Sequence, residues 1–274
     1  MTAPLLPVTT AVQERLTGVP LLVMLDVDGT LAPIASRPEQ AEVPAETSQC
    51  VAGLAAGPDV IVALVSGRTA ADARRMVRVT NVWVIGNHGY EIVSADGDSL
   101  VDPQVEPFRD VIAQAERRLE PRLAQVPGVI LEDKRWTLSI HYRLANDAVV
   151  PRVRALVEET AQALGLRVTE GKMVLEVRPP ARVDKGTAVL TLASRLHAVT
   201  DDASLVFIGD DRTDEDAFRA LRMRQRRAVT VRVAPDESAG TAAEFAVSDP
   251  PQVLEFLEWL RALRGARSRR AAGE

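Results

Sequence analysis

The sequence has a single cysteine, three lysines, few aromatic residues (4%) and no long apolar run. Each shortage excludes something. With Cys50 alone, no disulfide can form within the chain. Cys50 falls in a helical apolar pattern with Val51 and Leu54, which makes it a core residue rather than a nucleophile. No uninterrupted apolar stretch approaches the ~20 residues of a membrane-spanning helix. Met1 to Pro20 has no basic segment leading into an apolar core, so no signal peptide is expected and a cytoplasmic location is the default. A net charge of −5 argues against a general nucleic-acid binder, which would carry a basic stripe. The three histidines, His88, His141 and His197, are too scattered for a zinc site. Trp83, Trp136 and Trp259 are expected in the core.

The shortage of lysine is the useful one. Of 33 basic side chains only Lys134, Lys172 and Lys185 are lysine, so arginine serves wherever a generic surface cation suffices. A compact ammonium and a guanidinium fork are not interchangeable. The three lysines therefore mark candidate positions where chemistry selects lysine. Chance survival accounts for any one of them more easily than for all three, because each lies inside a motif found independently.

What is present is ordinary globular bulk: 274 residues, 46% hydrophobic and 26% charged, enough for one large domain or two modest ones. One junction stands out. The apolar run Leu21-Leu22-Val23-Met24-Leu25 ends in Asp26-Val27-Asp28-Gly29-Thr30. Two carboxylates lie two residues apart at the end of a buried strand, and a glycine lets the chain turn at once. Asp-Gly is turn chemistry, but a turn does not account for Asp26, whose charge beside five apolar residues needs a cation or hydrogen bonds. One carboxylate as nucleophile and its neighbour as acid and base suits the spacing.

The first third alternates strand and helix: strands over 21–27, 60–65 and 82–85, helices over 45–56 and 69–77, then a pair over 90–93 and 99–101 around Asp96-Gly97. Apolar strands separated by helices predict a parallel sheet covered on both faces. The pattern then becomes helix (107–125), strands (129–134, 135–144), helix (148–164), strands (166–169, 173–177), a small α+β unit closed by Pro179-Pro180. Helices over 184–196, 214–222 and 253–263 with strands over 205–208 and 229–233 resume the first pattern, and 265–274 is expected to fray. The prediction is a doubly wound, Rossmann-like α/β core (1–104 and 182–274) with an inserted αββαββ cap (105–181).

Ligands of open α/β sheets bind beyond the carboxyl ends of the strands, and polar clusters fall there. One predicted strand ends in Ser66-Gly67-Arg68, a hydroxyl and backbone amides at a helix N-terminus, which can bind phosphate and is also a plain capped turn. Another ends in Gly209-Asp210-Asp211-Arg212-Thr213-Asp214-Glu215-Asp216. Acids favour a helix N-terminus, which covers Asp214 to Asp216 but not Asp210, at a strand tip like Asp26; such a set can hold Mg²⁺. Lys185 opens a helix, where a cation meets the positive end of the dipole. That penalty implies a partner, a phosphoryl oxygen or Asp26 itself.

In the predicted cap, Lys172, Val174, Glu176 and Arg178 alternate with Met173, Leu175 and Val177. Thr137, Ser139, His141 and Arg143 alternate with Trp136, Leu138, Ile140 and Tyr142. Period two gives each strand an apolar side for helices and a polar side. The polar side suits either plain solvent or sugar hydroxyls. His141 stays open between a polar strand residue and a working one, and His197, at a helix end, fits a structural or dipole role.

Asp26-Val27-Asp28-Gly29-Thr30, Ser66, Lys185 and Gly209-Asp210-Asp211 resemble the four ordered motifs of the haloacid dehalogenase-like phosphatases. Asn87-His88-Gly89, Glu132-Asp133-Lys134, His141-Tyr142-Arg143, the stretch from Gly171 to Pro179 and the acidic run from Asp210 narrow the resemblance to the trehalose-6-phosphate phosphatase family, over roughly residues 21–263. That resemblance implies phosphate-monoester hydrolysis through an aspartyl phosphate, with Asp26, Asp28, Ser66 and Lys185 catalytic. It implies Mg²⁺ on Asp26, Asp28 and Asp210, with Asp211 or Asp214 orienting its waters. It implies substrate contacts from Gly29, Thr30, Gly67, Arg68, Asn87, His88, Gly89, Glu132, Lys134, Arg143, Lys172, Glu176 and Arg178. The implied partner is a small sugar phosphate, with no nucleic acid or membrane, in a monomer able to associate with a trehalose-6-phosphate synthase. Three rivals remain: a phosphatase for sucrose phosphate or a glycosyl phosphoglycerate, a mutase or P-type hydrolase on the same core, and a non-catalytic sugar-phosphate-binding subunit.

Overall fold

The run Leu21–Leu25 is apolar at every position, which a strand tolerates only when both faces of its sheet are covered. A computed structural model of the chain has that arrangement. It describes residues 2–35, 40–171, 173–225, 227–235 and 240–271, with 268–271 by backbone alone. In chain order the elements are β1 (Ala3–Pro4), α1 (Thr10–Arg15), β2 (Leu21–Leu25), α2 (Ala45–Ala55), β3 (Val60–Val65), α3 (Ala70–Val77), β4 (Trp83–Gly86), β5 (Glu91–Val93) and β6 (Ser99–Val101). Then come α4 (Arg109–Leu123), β7 (Ile130–Asp133), β8 (Leu138–His141), α5 (Val150–Ala163), β9 (Arg167–Gly171) and β10 (Val174–Arg178). The chain closes with α6 (Lys185–Arg195), β11 (Ser204–Gly209), α7 (Asp214–Arg224), β12 (Val229–Val233), β13 (Phe245–Val247) and α8 (Pro250–Ala271). They form two compact units, Met1–Leu100 with Val183–Glu274, and Val101–Arg182.

The first unit holds a sheet in the order β1-β13-β12-β11-β2-β3-β4-β5-β6. Its strands from β1 to β4 pair in parallel, and β5 runs antiparallel to β4. Alternation along β2 assigns its side chains to two cores. Leu21, Val23 and Leu25 pack with α1, α2, α3 and α8; Leu22 and Met24 pack with α6 and α7. All five are fully buried, each contributing about 1.5–3 kcal/mol relative to exposure. The middle of the sheet is where β2 lies between β11 and β3, so the residues following β2 and β11 emerge side by side.

In the second unit β7-β8-β10-β9 form an antiparallel sheet. Leu138, Ile140, Leu175 and Val177 face Ile112, Leu119, Val153 and Val157 of α4 and α5 in a separate core.

Two expectations differ from the structure. The strand predicted over 135–144 shrinks to Leu138–His141, because Arg135 takes a left-handed backbone (φ 71°) and the Trp136 N–H closes a turn on the Lys134 carbonyl. Over 265–274, where fraying is expected, helix is assigned as far as Ala271 and residues 272–274 lie outside the described residues. Residues 3–15, left unassigned by pattern, supply an edge strand and a short helix whose Val12 is buried. Cys50 and Trp136 are buried as expected, whereas Trp83 and Trp259 are only partly so. His197, exposed and left-handed (φ 53°), follows the end of α6, a terminating position.

Candidate active site

β2 and β11 pair in register from Leu21↔Ser204 to Leu25↔Ile208, and the Asp26 N–H donates to the Ile208 carbonyl at 2.9 Å. Asp26 therefore leaves the sheet beside the turn that carries Asp210. One carboxylate oxygen each from Asp26, Asp210 and Asp214 lie within 4.8 Å of one another. Two glycines make this possible. A Cβ on Gly29, which has φ +84°, would collide with the Asp210 carboxylate, and one on Gly209 with Asp214.

Lys185 reaches into the cluster from the first turn of α6. Its ammonium donates to Asp26 Oδ1 (2.8 Å) and Asp214 Oδ1 (2.7 Å), and all three residues are buried. The unfavourable place of a cation at a helix N-terminus thus has its partners. Burial by itself would lower the Lys185 pKa; the Asp214 and Asp26 carboxylates more than offset it and hold the ammonium well above its ordinary range. Burial pushes the Asp26 carboxyl up, Lys185 pulls it down, and Asp214 and Asp210 push it up again. Asp214 is used on both oxygens, since Oδ2 accepts the Asp211 N–H at 2.9 Å. Three carboxylate side chains, two of them buried, gather around the Lys185 ammonium. The carboxylate oxygens of Asp26 and Asp210 fit a hard divalent cation.

A second group lies on the neighbouring strands of the same unit. Asp28 accepts from Arg68 Nε and Nη2, both at 2.7 Å, a bidentate pair. Ser66 Oγ accepts the Arg68 N–H at 3.1 Å. Two backbone bonds, Asn87 N–H to the Arg68 carbonyl (2.7 Å) and His88 N–H to the Ser66 carbonyl (3.0 Å), join the loops after β3 and β4. Asn87 and His88 are both left-handed (φ 50° and 58°), and the His88 ring lies where a Cβ on Gly67 would be. Backbone held in such regions concentrates at functional sites. Gly89 follows with φ 111°, its Cα face against the Asp184 carbonyl. Thr30 is buried, and its hydroxyl has no hydrogen-bond partner among the described residues.

Pattern reasoning missed Glu91. This buried carboxylate accepts from the Ala70 N–H (2.8 Å) and from Asn87 Nδ2 (3.0 Å), tying the start of α3 to the strained loop. The available signal was an acid between Tyr90 and Ile92 in a strand that otherwise is apolar.

The second unit gathers its own polar face. Glu132, Ser139 and Glu176 are cross-strand neighbours on β7, β8 and β10. Glu176 Oε1 accepts from Ser139 Oγ (2.6 Å) and Lys134 Nζ (3.2 Å). Arg178 is buried two residues further on, and Arg143 is exposed after β8. Lys172 lies outside the described residues.

The doubly wound sheet with carboxylates at the ends of β2 and β11 defines a haloacid dehalogenase-like α/β fold; a solved hydrolase of that description from Bacteroides thetaiotaomicron superposes with a TM-score of 0.59 at 15% identity, over 88% of this chain and 99% of that one. Within that class the chain belongs to the trehalose-phosphatase family, whose model matches residues 24–251. It is similar to a trehalose-phosphate phosphatase of Mycobacterium avium, 37% identical over 90% of this chain and 63% of the relative. A Mycobacterium tuberculosis protein described as an uncharacterized glycosyl hydrolase is 37% identical over 93% of this chain and 19% of its own length. The chain thus spans less than two thirds of these curated relatives. The crystal structure of a trehalose-6-phosphate phosphatase related protein is 26% identical, with a TM-score of 0.78 over 90% of this chain and 99% of that one.

Proposed function

We propose that the chain hydrolyses trehalose 6-phosphate to trehalose and phosphate through a phosphorylated Asp26. The observation that carries the reading is the buried Asp26–Lys185–Asp214 arrangement beside Asp210, at strand ends, in a member of this family.

A carboxylate of Asp26 attacks phosphorus, forming an acyl phosphate as the bond from phosphorus to the sugar oxygen breaks. Asp28 gives its proton to the departing oxygen. Asp28 then takes a proton from water, whose oxygen attacks phosphorus. The bond to Asp26 breaks, and phosphate leaves with Asp26 restored as carboxylate. Asp28 can serve only once the Arg68 fork lets go, so Arg68 is assigned to the incoming phosphoryl group as an alternative partner. Ser66 and Lys185 hold the phosphoryl oxygens as charge develops. Asp26, Asp210 and, by resemblance to the family, the backbone carbonyl of Asp28 would hold Mg²⁺, which when bound offsets phosphoryl charge as a Lewis acid. Asp214, committed on both oxygens, positions Lys185 and the Asp211 turn rather than binding metal itself. The second unit acts as the cap, and Glu132, Lys134, Glu176, Arg178, Arg143 and Lys172 are assigned to the sugar.

The test is phosphate release, with and without Mg²⁺, from trehalose 6-phosphate, sucrose 6-phosphate and glucose 6-phosphate. Trehalose 6-phosphate is expected to rank first. Asp26→Asn is expected to keep the fold by circular dichroism and lose turnover by at least about 1,000-fold, the scale of removing a nucleophile. Substantial release by that variant removes Asp26 from its role.

A further inference from the structure

We propose that Ser139 and His141 are positioning residues for sugar selection, setting the two carboxylates of the polar face without touching phosphorus. The inference rests on the reading of that face as the sugar-binding surface.

The geometry begins with register. Strand β8 runs between β7 and β10, so Ser139 stands opposite Glu132 on one side and Glu176 on the other. Ser139 and His141 share the face by period two. Each takes one carboxylate. Ser139 Oγ donates to Glu176 Oε1 at 2.6 Å, inside the protein, and Lys134 donates to the same oxygen. His141 Nε2 lies 2.8 Å from Glu132 Oε2. A carboxylate offers only acceptors, so Nε2 carries the proton in that bond. Lys134 Nζ is also 4.0 Å from Glu132 Oε2, which places one ammonium between the two acids.

The two donors to Glu176 use the same oxygen. The other, Oε2, is buried and has no hydrogen-bond partner among the described residues. A buried carboxylate oxygen left without a donor costs free energy, and the cost falls away when a hydroxyl donates to it. Ser139 therefore does more than pack. It spends Oε1 on the protein and leaves Oε2 for a ligand hydroxyl. His141 does the matching service for Glu132 by restricting a side chain that would otherwise sample several rotamers. A fixed pair of acceptors reads hydroxyl geometry better than a mobile pair, because less freedom is lost on binding.

The experiment compares Ser139→Ala, Ser139→Thr, His141→Ala and His141→Gln with the unaltered full chain. Threonine keeps the hydroxyl, and glutamine keeps an N–H near the position of Nε2. Substrates are the three sugar phosphates above and p-nitrophenyl phosphate, which has no sugar. Selectivity is the kcat/KM of the best sugar phosphate divided by that of p-nitrophenyl phosphate. Each alanine variant is expected to lower it about tenfold, the scale of one hydrogen bond to a charged group, through KM and with kcat and p-nitrophenyl phosphate kinetics unchanged. Threonine and glutamine should recover most of the loss. Unchanged selectivity in folded alanine variants, or an equal loss on every substrate, overturns the inference. If sucrose 6-phosphate is the best substrate and its preference collapses in the variants, the trehalose assignment fails and this inference stands. If trehalose 6-phosphate is preferred and the variants do not alter that, the assignment stands and this inference fails.

Discussion

Lys185→Met removes the ammonium that joins Asp26 to Asp214 while keeping the length of the side chain. Lys185 is 3% exposed, and its two bonds of 2.8 and 2.7 Å cross from α6 to the ends of β2 and α7. Removing one partner of a buried ion pair costs about 3–5 kcal/mol, chiefly because the remaining charge is stranded. For a cooperative unit of this size that corresponds to a fall in Tm of roughly 6–20 °C. The sign against pH follows from the pKa directions. Lys185 is held above its unfolded value, so its stabilisation is complete below that value and is lost only as the pH rises through the higher folded one. The gap between the proteins should therefore be flat around neutrality. It should narrow in acid, where the stranded carboxylates of the variant take up protons. Urea denaturation from about pH 5 to pH 9, followed by circular dichroism without metal, measures it. A loss below about 1 kcal/mol, the worth of a surface pair, refutes the picture of a buried, charge-bearing centre.

Mg²⁺ at about 100 times its dissociation constant should add about 2.7 kcal/mol to stability, and Asp210→Asn should abolish most of that gain in melting experiments. Because burial raises the Asp26 carboxyl, the folded state holds that proton more tightly; the stability it brings is present at low pH and lost as pH rises through the folded value, so the metal-induced shift in Tm should be larger at about pH 8 than at about pH 5. Gly29→Ala puts a side chain at φ +84° and into the Asp210 carboxylate; the backbone strain alone is about 1–2 kcal/mol, and weakened Mg²⁺ affinity by titration calorimetry should accompany it. Unchanged affinity would show that Asp210 does not need its present position.

Lys185 shows how much of the site was legible in the order of residues. Its rarity in a chain rich in arginine, and its awkward place at a helix start, called for an anionic partner, and Asp26 was among those expected. Asp26 itself was conspicuous because a charge ends an apolar strand. The α/β alternation was equally plain, since period and helix spacing are local properties. Local pattern could not show that Asp214 takes up Lys185 with one oxygen and the Asp211 amide with the other, because that depends on where α6 and α7 meet.

Glu91, Ser139 and His141 mark the other limit. Each looks like an ordinary polar residue on a strand. Glu91 gains meaning only because β5 folds back against β4 and brings its carboxylate under the Ala70 amide. Ser139 gains its meaning because antiparallel register sets it between Glu132 and Glu176, and His141 because its ring reaches Glu132 on the neighbouring strand. Composition, period and motif spacing determined the class of fold, its elements and the chemical character of the strand ends, since those arise within a few residues. Which oxygen is occupied, which glycine faces which carboxylate and which acid is held by which donor were decided by tertiary structure, because hydrogen bonds join atoms at about 3 Å whatever their separation along the chain.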